Sequence, residues 1–478
     1  MAGSGGIKVM DAKYTKVTRK LVEALKRIVG SDGVSVKEEE REKYSCDEMP
    51  LPKPHLGEVI VKPGDTATVA RVLSLANEKR IPVTPRGSGT GLCGGCVPIF
   101  GGILLSLERM NQILEIDEEN FVATVEPGVL LADLYKAVEG CGLYYPLYPG
   151  ESSASIGGNV ATNAGGMRAV KYGVTRHLVL GLEAVLPTGE VINVGGKFVK
   201  SSTGYDLMQL LIGSEGTLAV ITKIMLKLTI PPKRREVLFI PFNSLYDAIK
   251  AVPDILKHKI LPVGIEFMER DIISIVEEYI NRQIPFHDYQ AFLLIILEGE
   301  TEKEVYQDAG RIEEICIHNG AVDIFIPSSE RAKRRLLEAR EKFYPALKRL
   351  GPMDIADVIV PRSQIPEFIK KVKEISKRHQ MPIIAYGHAG DGNVHLHLLG
   401  KDMDRDEWER KLPRVFEDIY QAGASLGGAI SGEHSIGFEK KGYLAMSMDK
   451  KLIGLMKGIK RAFDPNNILN PGKIFDLE

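Results

Sequence analysis

Apolar residues recur at helical spacing in Val17, Leu21, Leu25 and Ile28, and Gly30 stands where such a helix would stop, so an opening helix is predicted there. The charged run over residues 37–43 follows as a solvated helical face. From Glu58 onward strand and helix alternate: Val59–Val61 is extended, Asp65 is an N-cap, Val69, Val72, Leu73 and Ala76 share one helical face, and residues 81–84 are extended again. This pattern is a βαβ unit. Its second strand runs into a Gly-rich segment over residues 85–91, and a second Gly-rich loop spans residues 150–166. Pro231-Pro232, followed by Lys233-Arg234-Arg235, marks a domain junction, because paired prolines interrupt both helix and ladder bonding. Beyond it, strand-like runs over 237–240, 263–267, 292–297, 324–326, 358–360, 383–385 and 394–399 alternate with amphipathic helices over 245–257 and 365–377. A split βαβ or ferredoxin-like antiparallel sheet, covered on one face by helices, is the architecture that accommodates them.

Length and charge narrow the function. A chain of 478 residues has room for two or three domains. Sixty-two Lys and Arg against 63 Asp and Glu leave a net charge of −1, which gives no basic surplus for nucleic acid. The longest apolar stretch, residues 291–297, falls far short of the roughly 20 residues that a spanning helix requires. Residues 1–10 lack the apolar core of a secretory signal, which predicts a cytoplasmic chain. Five cysteines suit reduced thiols better than a disulfide framework. The 48 glycines are the one compositional excess, and they lie largely between residues 85 and 216.

Gly89, Gly91 and Gly94 satisfy the letter of G-x-G-x-x-G after a strand, but Gly94-Gly95 and Pro98 leave no room for the helix whose N-terminus faces a pyrophosphate in a Rossmann site. Consecutive small residues over 86–91 instead turn several backbone N–H groups toward one point, an anion nest suited to a diphosphate. Ser155-Ile156-Gly157-Gly158-Asn159 and Asn163-Ala164-Gly165-Gly166 allow close backbone approach to a flat ligand, and Gly213-Ser214-Glu215-Gly216-Thr217 leads into an alternating strand.

In order along the chain, Pro85-Arg86-Gly87-Ser88-Gly89-Thr90-Gly91-Leu92, Ile156-Gly157-Gly158-Asn159 through Gly166, Lys171-Tyr172-Gly173, and Gly204-Tyr205-Asp206 through Thr217 resemble the FAD domain of the vanillyl-alcohol oxidase and p-cresol methylhydroxylase (PCMH) superfamily. The resemblance implies an α+β fold, with a two-subdomain PCMH-type FAD-binding domain and a ferredoxin-like cap. It implies that residues 86–91 cradle the diphosphate, that Ser155 to Asn159 and Gly165 lie along the isoalloxazine and ribityl, that Glu215, Gly216 and Ile221 approach the adenosine end, and that Pro85, Asn163 and Gly173 also bind the cofactor. Members that attach the flavin covalently use a His in the first loop; Gly87 and Ser88 stand here, so FAD is expected to be non-covalent. Cys93 and Cys96 form a C-x-x-C without a second pair at zinc spacing and read as two packed thiols.

The sharpest chemical signal is Gly387-His388-Ala389-Gly390-Asp391-Gly392-Asn393-Val394-His395-Leu396-His397. His395 and His397 alternate with apolar residues and so project from one face of a strand, and the Gly-Asp-Gly turn brings His388 level with His395. Three of the chain's ten His within this stretch favour a metal site, and Ser431-Gly432-Glu433-His434 supplies a carboxylate and a further imidazole. Together these segments resemble the D-2-hydroxyacid dehydrogenase branch, which includes glycolate oxidase catalytic subunits, D-lactate dehydrogenases and D-2-hydroxyglutarate dehydrogenases. The resemblance implies a divalent metal, zinc foremost, on His388, His395 and Glu433, with His434 as base and Arg340 as the substrate cation. It also implies that residues 464–473, with Asn470, return to the flavin.

The implied boundaries are an N-terminal helical segment at 1–53, the FAD-binding domain at 54–232, the cap at 233–430 and a C-terminal segment at 431–478. A 2-hydroxyacid chelated through its hydroxyl and carboxylate would lose its hydroxyl proton to a neutral His and its hydride to flavin N5. D-2-Hydroxyglutarate enzymes carry a Lys near the strand at 357–361, where this chain has Ile355 and Ala356, and often Asn where it has His397, so D-lactate or glycolate is preferred. The alternatives are D-2-hydroxyglutarate oxidation, non-redox flavin chemistry as in alkyl-glycerone-phosphate synthases, a zinc hydrolase, and a non-catalytic FAD-binding subunit. With no iron–sulfur or haem motif, electrons must pass to an external acceptor or partner subunit, which would place the protein in the cytoplasm or peripherally at a membrane. A homodimer is compatible with all of this.

Overall fold

The structure, a computed structural model, describes residues 14–49, 55–401 and 403–477, so the expectations for residues 1–10 and for a boundary at 53/54 lie outside the described residues. Three sheets carry the fold, each built from strands consecutive in sequence. The first contains β1 (Val34–Ser35), β2 (Val59–Val61), β3 (Val83–Arg86) and β4 (Ile103–Ser106) in the order β1-β2-β4-β3. The predicted βαβ unit is present: Asp65 Oδ1 accepts from Thr68 N at 2.7 Å, and helix Thr66–Lys79 buries Val69, Val72, Leu73 and Ala76. β2 and β3 are not neighbours, however. β4, buried along its whole length, lies between them and runs parallel to both, as an apolar strand must in the middle of a parallel sheet.

The second sheet, β5 (Ile113–Asp117), β6 (Val122–Val125), β7 (Val179–Val185), β8 (Val191–Gly195) and β9 (Val220–Lys227), is antiparallel in the order β5-β6-β9-β7-β8. The third comprises β10 (Arg234–Phe242), β11 (Gly264–Glu269), β12 (Ala291–Gly299), β13 (Met353–Ile359), β14 (Ile383–His388) and β15 (Asn393–Leu399). It is antiparallel throughout, in the order β10-β12-β11-β14-β15-β13. The run at 324–326 adds no strand to it: Phe325 makes only an isolated bridge to Phe239, and Pro327 has no N–H to extend a ladder.

One face of the third sheet packs Leu238, Ile295, Leu396 and Val358 against helices Leu245–Lys257, Glu302–His318, Ile365–His379 and Arg405–Ser425. The opposite face is not left open, as the sequence pattern suggested. Helices Arg270–Ile280, Glu330–Glu341 and Phe343–Lys348 cover part of it through Ile273, Leu336 and Phe343, which pack with Phe239, Phe292 and Tyr386. The C-terminal segment returns to the first sheet, where Leu469 bridges Val83 in parallel and Asn470 N donates to Val83 O at 2.7 Å. No helix among the described residues is long and apolar enough to cross a membrane.

Candidate active site

Between the first two sheets and the C-terminal loop lies a cleft walled by glycine-rich backbone. Pro85, Arg86, Gly87, Ser88, Gly89, Thr90 and Gly91 form one side, Ser155, Gly157, Gly158, Asn159 and Gly165 the facing side, and Glu215, Gly216 and Ile221 a third. The segment expected as an open loop contains a short helix, Ile156–Thr162, with Ser155 as N-cap and Asn163 closing it in the left-handed conformation. Ser155 Oγ accepts from Gly158 N and Ser88 N, both at 3.3 Å, and Ser88 Oγ accepts from Ser155 N at 3.0 Å, which latches the two Gly-rich segments together. A Cβ on Gly157 would lie 2.5 Å from Pro127 Cβ and 2.9 Å from its carbonyl oxygen, so only glycine lets this helix approach the wall.

Four of the expected cofactor residues stand behind the cleft instead of lining it. Ile156 is buried in the second core. Asn163 Oδ1 accepts from Arg176 N at 3.0 Å. Gly173, at φ 76°, makes space for the His177 ring. Asn470 Nδ2 donates to Gly95 O at 2.9 Å and to Glu215 O at 2.7 Å, tying the first loop to the third. Glu215 lines the cleft, yet its carboxylate is engaged by the C-terminal loop, accepting from Ile436 N at 2.9 Å and Gly437 N at 2.7 Å. The Arg86 guanidinium is likewise engaged, by Cys46 O and by Cys96 Sγ. Cys93 and Cys96 are both free thiols, the first buried. Asn159 Nδ2 is a buried donor without a partner in the cleft wall, and such a donor calls for an acceptor on a ligand. A nucleotide cofactor fits this cleft.

Glu433 and His434 complete the same cleft. Along β15, Val394, Leu396 and Leu398 enter the first-face core, so His395 and His397 project from the other face, and the turn at 389–392 folds β14 back on β15. His388 Nε2 and His395 Nε2 lie 3.3 Å apart, and Glu433 Oε1 is 3.5 Å and 3.3 Å from them. Bonds of about 2.0–2.1 Å to a tetrahedral centre set donor–donor edges of about 3.3–3.4 Å, so this trio can hold one divalent ion. His397 takes no part in it: fully buried, it meets Tyr386 Oη at 2.8 Å and Met353 Sδ at 3.3 Å. His434 stacks on His395, with ring centroids 5.2 Å apart and planes at 13°, and its Nε2 is 3.9 Å from Glu433 Oε1. Arg340 does not reach the trio directly. Its Nε and Nη2 donate to Glu266 Oε2 at 3.0 and 2.6 Å, and its guanidinium stacks over Tyr386 at 4.7 Å.

Two carboxylates that the sequence pattern did not single out organise the group. Glu266 on β11 is fully buried; burial opposes its ionisation, but the His388 and Arg340 charges outweigh burial and hold it at about 2. Asp357 on β13 is also fully buried, and it is held well below the usual carboxylate range despite burial by His434, a cation only in the acid range where Asp357 itself titrates, and by the Lys440 ammonium. Burial lowers His395 to about 3 and His434 to about 4, so both are neutral near pH 7. His388 is driven the other way: burial disfavours its charge, but Glu266 and Glu433 raise it well above the ordinary value.

Residues 231–474 match the family model for FAD linked oxidases, C-terminal domain, and residues 57–195 the model for an FAD binding domain. The D-lactate dehydrogenase of Anaerostipes hadrus is 40% identical over 470 residues, covering 97% of this chain and 99% of that protein. Glycolate oxidase subunit GlcD of Bacillus subtilis is 41% identical over 461 residues, covering 96% and 97%. The solved structure of p-cresol methylhydroxylase with substrate bound superposes with a TM-score of 0.80 at 19% identity, covering 97% of this chain and 98% of that one, which shows the PCMH-type flavoprotein fold. With both halves matched and relatives aligned over nearly their whole length, the chain belongs to the family of FAD-linked oxidases and is an FAD-linked oxidoreductase.

Proposed function

We propose that this protein oxidises a small D-2-hydroxyacid, D-lactate or glycolate, to its 2-oxoacid, with non-covalent FAD and a divalent metal, zinc foremost, and that its electrons leave through a separate non-NAD acceptor. The observation that carries this reading is that Glu433 and His434 wall the same cleft as the nucleotide loops, which joins a metal-type donor set to a flavin-type site. The names of the two relatives above supply the substrate class.

The backbone of residues 86–91 and the wall from Ser155 to Gly165 would hold the FAD, and His388, His395 and Glu433 the metal. When bound, these groups supply the two-electron acceptor for the Cα–H pair and the Lewis acidity that makes the substrate hydroxyl acidic. His434, kept neutral by burial, takes the hydroxyl proton at Nε2. Arg340, its fork oriented by Glu266, would supply the cation for the substrate carboxylate. The 387–397 hairpin and the 431–437 loop fix the reacting groups relative to one another, which lowers the entropic part of the barrier. Ile355 and Ala356 are buried and offer no cation for a second carboxylate, which favours a monocarboxylic substrate.

Anaerobic titration of the yellow holoenzyme with D-lactate, L-lactate, glycolate and D-2-hydroxyglutarate tests the assignment. Bleaching by D-lactate or glycolate is expected; bleaching by L-lactate alone or D-2-hydroxyglutarate alone overturns it.

A further inference from the structure

Asp357 lies on β13, the edge strand of the third sheet, and one of its oxygens gathers a whole loop. Oδ2 accepts from Ser431 Oγ at 3.0 Å and from the successive backbone N–H groups of Gly432, Glu433 and His434 at 2.9, 2.8 and 2.8 Å. Oδ1 accepts from Asn393 Nδ2 at 2.7 Å and stands 3.6 Å from His395 Nδ1, an atom with no hydrogen-bond partner among the described residues. The buried Lys440 ammonium is 4.0 Å from Oδ2. Three consecutive amides aimed at one point form an anion nest of the kind that usually receives a ligand; here a side chain of the same protein fills it.

The loop so gathered has no regular structure of its own. Ser435 and Gly437 adopt positive φ, and in sequence the segment falls between helix Arg405–Ser425 and the single turn Lys441–Tyr443. Donor separations of 3.3 to 3.5 Å among His388, His395 and Glu433 need a loop fixed to within a few tenths of an ångström. Asp357 provides that fixation while facing the other ring nitrogen of His395, so one carboxylate orients ligands from two remote segments. We infer that Asp357 is the positioning residue of the site, setting Glu433 and His434 in register with His395. The inference rests on the metal reading above in that the trio is taken as the ligand set.

Asp357→Asn keeps the shape and removes the charge, and Asn393, whose Oδ1 has no hydrogen-bond partner among the described residues, can turn its amide to meet the new NH2. Two measurements on FAD-loaded protein test the role: the zinc concentration that half-restores flavin reduction after chelator stripping, and hydrogen exchange of the amides at 432–434. For Asp357→Asn the half-restoring zinc should rise about 10- to 100-fold and the three amides should exchange at least about tenfold faster, with FAD content unchanged. Ser431→Ala, which removes one donor and leaves the nest, should stay within about twofold. Wild-type zinc affinity with wild-type protection in Asp357→Asn overturns the inference. Should that variant not fold, Asn393→Ala carries the same test: a rise of about twofold or more is expected, and an unchanged value overturns the inference. A wild type that takes no zinc, yet whose amides are protected only with Asp357 present, refutes the metal reading and leaves the positioning role standing.

Discussion

Glu266 Oε1 lies 2.5 Å from His388 Nδ1, and the other oxygen of the same carboxylate receives the Arg340 fork. The contact keeps a proton on Nδ1 and makes Nε2 the atom that a metal would take in exchange for its proton, while the second oxygen aims the cation proposed for the substrate carboxylate. Glu266→Gln presents an amide where two donors point and strips a buried guanidinium of its counter-charge. The expected cost is about 3–5 kcal/mol, read from the denaturant midpoint, together with a roughly tenfold weaker metal site. Wild-type values for both would show that Glu266 is not a link between metal ligand and substrate cation.

His434 is in the cleft wall and not in the metal trio, so its loss should leave both bound groups in place. His434→Gln is expected to retain FAD and metal at wild-type stoichiometry and to slow anaerobic flavin reduction by about 10²- to 10⁴-fold in stopped flow. Retained rapid reduction would remove the base assignment.

Gly165 was expected beside the flavin, and it also abuts the metal trio: a Cβ there would lie 2.7 Å from Glu433 Oε2 and 3.0 Å from Glu433 Cβ. Gly165→Ala, at a backbone conformation alanine tolerates, should displace Glu433. Metal content should fall in the purified protein while the FAD spectrum persists, and loss of FAD with the metal retained would indicate a purely nucleotide-facing role.

Much of this site was legible in the sequence because it follows from local geometry. The alternation of Val394, Leu396 and Leu398 with His395 and His397 dictates which side chains share a face, and Gly390-Asp391-Gly392 dictates the hairpin that returns His388. The helix at 156–162 was hidden by Gly157 and Gly158, both poor helix formers; the first is required because Pro127 lies against it. Glu266 read as one polar residue in an apolar strand; its partners are 74 and 122 residues away, beyond any periodicity. Asp357 was invisible for a different reason. Its partners are mostly backbone amides, which leave no trace in residue identity. The helices on the second face of the third sheet were likewise hidden, since an amphipathic pattern shows that a helix has an apolar side but not which sheet face receives it.

Asp354, on the opposite side of β13 from Asp357, gives a pH-dependent test away from the metal trio. Burial raises it from 3.8 to about 7, and Glu439 beside it is raised as well, by burial and by Asp354 itself. The native state therefore keeps a proton that the unfolded chain has released above 3.8, so this contribution to stability is complete at lower pH and is lost as pH rises through about 7. Asp354→Asn is free of that loss. In urea unfolding, the wild type should lose stability relative to Asp354→Asn between about pH 4 and about pH 7 and hold a constant difference above. A difference that does not vary with pH would contradict the buried, protonated state.

The central claim, that a metal-held hydroxyacid is oxidised against the flavin, is tested most directly by single-turnover flavin reduction with D-lactate before chelation, after chelation and after return of zinc. The account predicts rapid bleaching, its loss by at least about 10²-fold in the stripped protein with FAD still bound, and recovery on adding one equivalent of zinc per chain. An undiminished rate in protein shown to be free of metal would contradict it.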